Sequence, residues 1–178
     1  MKKAFCLLGL FGSAAAIIAA QPAQRGNGPA PITVQLNDAQ GQSVGTATIT
    51  AARAGGVRIA FDLKNLPAGE HGVHIHAAAK CEGPKFTTAG GHFNPDGKQH
   101  GSMNPQGPHA GDLGNITVKN DGTFRGTVTD SLVNLGSDNH SLFTNGGTAI
   151  VIHANADDMK TDPSGNSGDR IACGVITR

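Results

Sequence analysis

Tryptophan and tyrosine are absent from the 178-residue sequence, and charged residues make up only 15% of it. Glycine, in contrast, occurs 26 times. Such a composition favours many short strands joined by turns over a helical bundle. The formal net charge is only +1, so no basic surplus favours a nucleic-acid partner. The length is that of one domain with one sizeable core.

The first twenty residues have a pattern of their own. Two lysines precede an apolar run, residues 4–20, that ends in small residues. This order is typical of a signal peptide, whereas an uncleaved membrane anchor, the alternative, would need a longer run. We therefore expect residues 1–20 to be removed on export to the periplasm or the extracellular space, and residues 21–30 to form a flexible lead-in. Cleavage would change the formal net charge from +1 to −1.

Only three cysteines occur in the chain, and signal cleavage would remove Cys6. The two that remain, Cys81 and Cys173, are expected to pair, because exported proteins with two cysteines usually form a disulfide. Two free thiols are the alternative. Closing a loop of this length restricts the unfolded chain by about 4–5 kcal/mol in the entropy model.

Regular alternation of apolar and polar residues predicts half-buried strands. The segments with strand patterns are residues 31–37, 43–50, 56–64, 71–77, 113–119, 123–129, 148–153 and 171–176. The turn sequence Asn120-Asp121-Gly122 predicts a hairpin between the fifth and sixth of them. Eight strands without a convincing amphipathic helix predict an all-β sandwich or barrel.

Three connections are too long for simple turns: residues 78–112, 130–147 and 154–170. Long loops in a compact domain are usually functional or disordered. The middle loop contains Leu132, Val133 and Leu135, so we expect it to cross over and pack against the core.

Histidines concentrate in one part of the chain. Six of the eight lie between residues 71 and 112, and His153 follows later. His74 and His76 are two apart on a predicted strand, so they share one face, and the aliphatic residues beside them point the other way. We expect His71 and His140, in contrast, to be structural histidines bonded to the backbone.

The histidines and one aspartate divide into two sets by ligand chemistry. The loop supplies three imidazoles and a carboxylate: His92, His100, His109 and Asp112. Such a set suits a structural zinc ion. The strands supply three more imidazoles: His74, His76 and His153. With one further imidazole they would form an all-nitrogen set suited to copper. The alternative is a histidine-rich surface segment that binds metal weakly or not at all.

Five motifs, HGVHIH, GGHFNP, HAGDLGN, VIHANADD and GNSGDRIACGVI, together resemble the copper–zinc superoxide dismutase family. The resemblance covers residues 31–178, and the short loop of residues 154–169 is similar to that of the exported bacterial branch. It implies one domain folded as an eight-stranded Greek-key β-barrel with long metal-binding and active-site loops. It also implies a Cys81–Cys173 disulfide that tethers the metal loop to the last strand.

The resemblance implies a role for each matching residue. The copper ligands would be His74, His76, His92 and His153. The zinc ligands would be His92, His100, His109 and Asp112, so that His92 would bridge the two ions. Asp157 would link His74 to His100, although an exposed loop acid is the alternative for this residue. Arg170 would guide and hold the substrate anion beside copper.

The implied activity is that of a superoxide dismutase, an oxidoreductase that converts superoxide to dioxygen and hydrogen peroxide as copper cycles between Cu(II) and Cu(I). His92 would carry a proton to the product. The alternatives are a catalytically inactive copper- and zinc-binding protein and a structural domain that uses zinc alone. Loss of a copper ligand or of Arg170 would favour the inactive protein, and none is lost.

Superoxide is the expected small-molecule partner. No nucleic acid and no stable membrane association after signal cleavage are expected. Whether two subunits form a homodimer stays open, because the branches of the family do not all associate in the same way.

Overall fold

The computed structural model describes Met1 and residues 29–178. Apart from Met1, the predicted signal peptide lies outside the described residues, as do residues 21–28 of the predicted lead-in. The described part contains eight strands: β1 (Ile32–Asp38), β2 (Ser43–Ala51), β3 (Val57–Leu63), β4 (Gly69–His76), β5 (Asp112–Val118), β6 (Phe124–Asp130), β7 (Thr148–His153) and β8 (Arg170–Ile176). Two short 3-10 helices, Thr87–Ala89 and Thr144–Gly146, complete the elements. Across residues 29–178, no helix has the length and apolar character that a membrane crossing requires.

The eight strands form one antiparallel sheet in the order β5-β4-β7-β8-β1-β2-β3-β6. The two edge strands, β5 and β6, approach each other, so the sheet curls into a nearly closed barrel. Because β4 pairs with β7 and β3 pairs with β6, the chain must cross over between non-consecutive neighbours, as in a Greek key. The predicted eight-stranded Greek-key barrel is confirmed.

The predicted hairpin between β5 and β6 is wrong. The turn itself forms, since the N–H of Gly122 donates to the carbonyl oxygen of Lys119 and the N–H of Lys119 donates to that of Thr123, both at 2.9 Å. Beyond the turn, however, β5 pairs with β4, and β6 pairs along its whole length with β3. A turn signal reports local backbone geometry, whereas the ladder partner depends on which strands the crossovers bring alongside.

Alternate residues of the strands fill the barrel. In β3, for example, Val57, Ile59, Phe61 and Leu63 are buried, and the residues between them face outward. The crossover loop after β6 packs against this core through Val133 and Leu135, as predicted. Leu132 does not pack there and is 42% exposed, which corrects the prediction for this residue. Its N–H donates to Asp130 Oδ1 at 2.7 Å, in a local turn that leaves the side chain outside the core.

The strand β7 and residues 71–76 of β4 differ from the other strands because both of their faces are buried. Val73 and Ile75 point into the barrel, whereas His74 and His76 lie on the outer face of β4 and are still only 0–1% exposed. The long loops cover that outer face. The β4–β5 ladder has a register shift at Val73/His74, and the β7–β8 ladder has one at Ile152/His153. Such bulges re-aim side chains, and both adjoin a histidine.

The predicted Cys81–Cys173 disulfide is confirmed, with 5.6 Å between the two Cα atoms. Cys81 belongs to the loop after β4, and Cys173 lies on β8 and is buried. The bond therefore ties the histidine-bearing loop to the barrel wall.

Candidate metal centre

Four side chains, three from the loop between β4 and β5 and one from the start of β5, bring one donor atom each close together. Asp112 Oδ1 lies 2.9 Å from His92 Nδ1, 3.0 Å from His100 Nδ1 and 3.3 Å from His109 Nδ1. The Nδ1 atoms of His92 and His109 are 3.4 Å apart. A tetrahedral zinc ion with ligands at about 2.0–2.1 Å requires donor atoms about 3.3–3.4 Å apart. The donor set therefore fits zinc in chemistry. Two of its spacings match the tetrahedral value, and the other two, at 2.9 and 3.0 Å, are hydrogen-bond distances that a bound ion would lengthen slightly.

The backbone fixes the carboxylate of this set. Asp112 Oδ2 accepts hydrogen bonds from the N–H groups of Gly101 and His109, each at 2.9 Å. The other oxygen, Oδ1, is thereby directed at the three imidazoles. His109 and Asp112 are also joined by a turn in which the N–H of Asp112 donates to the carbonyl oxygen of His109 at 3.3 Å. This turn explains why a three-residue spacing suffices to place both donors together.

A second set consists of imidazoles alone. One donor nitrogen from each of four histidines lies within 4.8 Å of the others: His74, His76, His92 and His153. The Nε2 atoms of His76 and His153 are 3.4 Å apart. His74 Nδ1 and His92 Nε2 are buried and have no hydrogen-bond partner among the described residues. Leaving a buried polar atom unpaired costs about 1–3 kcal/mol, and binding copper through these nitrogens would remove that cost.

In each strand histidine, the ring nitrogen that points away from the cluster lies near an oxygen acceptor. His74 Nε2 donates to Asp157 Oδ2 at 2.7 Å, and His76 Nδ1 donates to the carbonyl oxygen of Gly90 at 2.9 Å. His153 Nδ1 faces the carbonyl oxygen of Gly168 at 3.2 Å. When these nitrogens carry the hydrogen, the opposite nitrogen of each ring presents a lone pair to the cluster.

His92 is the residue that the two sets share. Its Nδ1 faces Asp112 and the zinc-type donors, and its Nε2 is the unpaired atom on the copper side. One donor atom from His74 also lies within 4.8 Å of those from His92, His100 and Asp112. His74 Nε2 is bonded to Asp157, so the unpaired Nδ1 is the nitrogen of this ring that is left for a metal ion.

Asp157 lies between the two sets and is not an exposed loop acid. Its Oδ2 accepts from His74 Nε2 at 2.7 Å, and its Oδ1 accepts from His100 Nε2 at 2.9 Å. The side chains of all three residues are 0% exposed. The carboxylate therefore connects one histidine of each set.

Arg170 reaches the loop that covers the copper-type set. Its Nη1 donates to the carbonyl oxygen of Phe86 at 2.6 Å, and its Nη2 donates to that of Gly90 at 2.7 Å. The guanidinium has five N–H groups, so these two bonds leave three for other acceptors. The bracing contact and a role toward an anion are thus compatible.

The two histidines that were expected to be structural lie outside both donor sets. His71 directs Nδ1 at the carbonyl oxygen of His153 and Nε2 at that of Pro67, each at 2.8 Å. His140 Nδ1 donates to the carbonyl oxygen of Leu132 at 2.7 Å. Backbone contacts of this kind were predicted for both residues.

Burial favours the neutral form of three rings in the all-imidazole set, those of His76, His92 and His153. It lowers the pKa of His76 to about 2 and that of His153 to about 3. Burial also lowers the pKa of His92 to about 4, against the opposing hydrogen bond with Asp112. Neutral imidazoles are metal ligands, so these three rings need not lose a proton to bind an ion at neutral pH.

The pKa of His100, a histidine of the mixed set, is raised and not lowered. Burial acts to lower its pKa, but the hydrogen bonds with Asp112 and Asp157 outweigh burial and raise the pKa to about 9. Burial acts to raise the pKa of both carboxyl groups, but their hydrogen bonds with the histidines hold it well below the usual value. In the metal-free protein this side therefore holds a protonated imidazole between two carboxylates.

Sequence reasoning did not identify the backbone acceptors Gly90 and Gly168 or the side chain of Asn115. Every residue has a carbonyl group, so no sequence signal distinguishes the first two. Asn115 is a polar residue within a strand, and its side-chain amide bonds to the backbone of Asp157. An amide among strand residues, at the last position of the motif HAGDLGN, was the available signal.

Comparison with known proteins agrees with this geometry. Residues 43–176 match the family model described as copper/zinc superoxide dismutase. Superoxide dismutase [Cu-Zn] 2 of Aquifex aeolicus (strain VF5) is 46% identical over 144 residues, which are 80% of this chain and 84% of the relative. The superoxide dismutase-like protein YojM of Bacillus subtilis (strain 168) is 40% identical over 146 residues, 80% of this chain and 74% of that protein.

Solved structures show the same similarity. A SOD-like protein from Bacillus subtilis superposes with a TM-score of 0.80 at 39% identity, covering 83% of this chain and 99% of that one. The Cu/Zn superoxide dismutase from Brucella abortus superposes with a TM-score of 0.68 at 30% identity, covering 83% and 99%. The likeness therefore extends over nearly all of the described residues.

Proposed function

Because the chain belongs to the copper–zinc superoxide dismutase family, we propose that it removes superoxide while copper alternates between Cu(II) and Cu(I). The protein is an oxidoreductase, a superoxide dismutase, and its cofactors are copper and zinc. Two superoxide anions and two protons yield one dioxygen and one hydrogen peroxide. The observation that carries the proposal is that each ring nitrogen of His92 faces a different donor set.

The all-imidazole set would hold copper: His74, His76, His92 and His153. When bound, copper supplies the one-electron acceptor and donor that this disproportionation needs. The lone pairs of His74 Nδ1 and His92 Nε2, which have no protein partner among the described residues, support this assignment. The ring orientations are held by Asp157, Gly90 and Gly168.

The mixed set would hold zinc: His92, His100, His109 and Asp112. Its donor spacing of 2.9–3.4 Å and its three imidazoles with one carboxylate support a closed structural site. Because three of the ligands lie in the loop between β4 and β5 and the fourth is the first residue of β5, zinc would order that loop. It would also fix the orientation of His92.

The chain's own residues supply charge and protons to the reaction. Arg170 would attract superoxide and hold it by a charge-assisted hydrogen bond from an N–H group that the backbone contacts leave free. His92 Nε2 would take up a proton and deliver it to the reduced product. Burial lowers the pKa of His92, and a weakly basic imidazole gives up such a proton readily.

We also propose that the protein is exported to the periplasm or the extracellular space. The Cys81–Cys173 disulfide is compatible with an oxidising compartment. The apolar N-terminal run supports a cleaved signal peptide. Sequencing the N-terminus of the protein recovered from a fractionated expression host would test this; a chain that keeps residues 1–20 would contradict it.

Superoxide decay and metal content, measured on the same sample, test the function. Protein loaded with both metals should remove superoxide catalytically and contain one copper and one zinc per chain. Metal-free protein serves as the control. The alternative is an inactive metal-binding protein, favoured by the 40% identity to a protein named superoxide dismutase-like. Full loading without catalytic decay would establish that alternative and reject the proposal.

A further inference from the structure

We propose that Asn115 is a positioning residue that holds Asp157 between His74 and His100 and thereby supports both metal sites. The inference rests on the proposed function and deepens it. Asn115 lies on β5, and its side-chain hydrogen bonds go to Asp157 alone among the described residues. It would therefore act on the metals through Asp157 and not as a ligand.

The side-chain amide of Asn115 forms hydrogen bonds with both backbone polar groups of one residue. Its Nδ2 donates to the carbonyl oxygen of Asp157 at 2.9 Å, and its Oδ1 accepts from the N–H of Asp157 at 2.7 Å. Both distances are those of good hydrogen bonds. Two bonds to the same backbone unit fix its orientation as well as its position. A side chain with only a donor or only an acceptor could not make both.

The residue opposite Asn115 makes room for this contact. Gly72 pairs with Asn115 in the β4–β5 ladder. A Cβ atom on Gly72 would lie 3.1 Å from the Cβ of Asp157 and 3.1 Å from that of Ser167. The N–H of Gly72 donates to the carbonyl oxygen of Asn155 at 2.8 Å. The loop of residues 154–170 therefore lies directly on this glycine, where the lack of a side chain permits close approach.

The carboxylate of Asp157 in turn positions two histidines. It accepts from His74 Nε2 at 2.7 Å and from His100 Nε2 at 2.9 Å, with no exposure to solvent. Hydrogen bonds weaken steeply with misalignment, so a shift of the Asp157 backbone would loosen both contacts. His74 belongs to the copper-type set and His100 to the zinc-type set. A single amide on β5 would thus influence both sites.

The test compares three variants on the same barrel. Asn115→Leu removes both hydrogen bonds at similar volume, Asn115→Ser is too short to make both, and Thr117→Ala is a control at an exposed position of the same strand. Affinities for Zn²⁺ and Cu²⁺ are measured by chelator competition. Loss of a partner of this kind typically weakens metal affinity 10–100-fold, and we expect about tenfold for both metals at Asn115. The control should bind as the unsubstituted protein does.

A double-mutant cycle separates positioning from a general effect on stability. Asp157→Ala should weaken the binding of both metals. Adding Asn115→Leu should cause no further loss of affinity, because Asn115 acts through the missing carboxylate. Additive losses would overturn the proposal, as would unchanged affinities in Asn115→Leu. Should the leucine variant not fold, the same cycle with Asn115→Ser decides by the same outcomes.

A metal-independent measurement keeps this inference separate from the proposed function. In the metal-free protein, the amide hydrogen of Asp157 should exchange up to about tenfold faster in Asn115→Ser than in Thr117→Ala, as loss of one hydrogen bond implies. Equal exchange would overturn the positioning role. Failure of the unsubstituted protein to bind two metals or to remove superoxide would instead reject the proposed function.

Discussion

Arg170 and His76 share one hydrogen-bond acceptor, the backbone carbonyl oxygen of Gly90. Arg170 Nη2 donates to it at 2.7 Å, and His76 Nδ1 donates to it at 2.9 Å. The residue proposed to attract the substrate is therefore braced against the same atom that orients a proposed copper ligand. Through Cys173, three residues along β8, the disulfide holds this arrangement to the barrel wall.

Substitution of Arg170 should separate attraction of the anion from bracing. We expect activity to fall in the order Arg, Lys, Ile, Glu at unchanged metal content, because Lys keeps the charge but not the planar fork, and Glu repels superoxide. At low salt, the activity of the Glu variant should be roughly 10–1000-fold below that of the Lys variant, and this difference should shrink as ionic strength rises. Pulse radiolysis on metal-matched variants measures this. A Glu variant as active as Lys would contradict the guiding role.

Each chain should hold one copper and one zinc, because His92 offers one ring nitrogen to each donor set. Elemental analysis after loading with both metals measures the ratio. Asp112→Ala should lose zinc and keep copper, since this carboxylate belongs to the zinc-type set and its removal leaves the four imidazoles in place. A single saturable site in the unsubstituted protein would refute the bridged pair.

Acidification should release zinc before copper. The pKa of His100 is raised to about 9, so zinc must displace a proton from it at all lower pH values, and zinc affinity should fall about tenfold per pH unit. The copper-side rings of His76, His153 and His92 have pKa values lowered to about 2–4 and stay neutral above that range. Metal analysis after dialysis between pH 7 and 3 measures both. Copper leaving first would contradict the prediction.

Asp130 should destabilise the metal-free protein at neutral pH. It is buried, its Oδ2 has no partner among the described residues, and burial raises its pKa to about 6. The folded state favours the protonated form of Asp130. The free energy of unfolding therefore falls as pH rises from about 4 to about 6, by about 3 kcal/mol in all. Asp130→Asn should recover up to that amount at pH 7 and little at pH 4.

Denaturant unfolding of the disulfide-intact, metal-free protein at both pH values measures this gain. Glu70→Gln, at an exposed position, is the matched control and should change little at either pH. An Asp130→Asn variant that gains equally at pH 4 and pH 7 would show that ionisation is not the cause.

The disulfide should be present in the mature protein and should contribute to its stability. Thiol labelling of the unfolded, non-reduced mature chain should find almost no free cysteine, and two labels per chain would contradict the bond. Cys81→Ser with Cys173→Ser should lower the free energy of unfolding by about 2–5 kcal/mol. Denaturant titration of metal-free samples measures the loss without a contribution from bound metal.

Much of the site could be predicted because the information was local. Alternation within β3, β4 and β7 gave the strands and their inward faces, and the two-residue spacing of His74 and His76 placed both on one face. His109 and Asp112 needed only a turn to converge. Where local patterns competed with long-range pairing they failed, as at the turn after β5 and at exposed Leu132.

By itself, the sequence determined which side chains can bind metal, which segments are strands, and which cysteines remain to pair. Tertiary structure decided which nitrogen of each imidazole faces which donor set. It also decided that the outer face of β4 is buried, and that Asp157, 83 residues from His74, closes a hydrogen bond to it at 2.7 Å. The reason is physical: periodicity constrains neighbours along the chain. The direction of a ring depends on acceptors such as the Gly90 carbonyl oxygen, and that of the Asp157 carboxylate depends on a backbone that Asn115 holds. Only folding brings these groups within hydrogen-bond range.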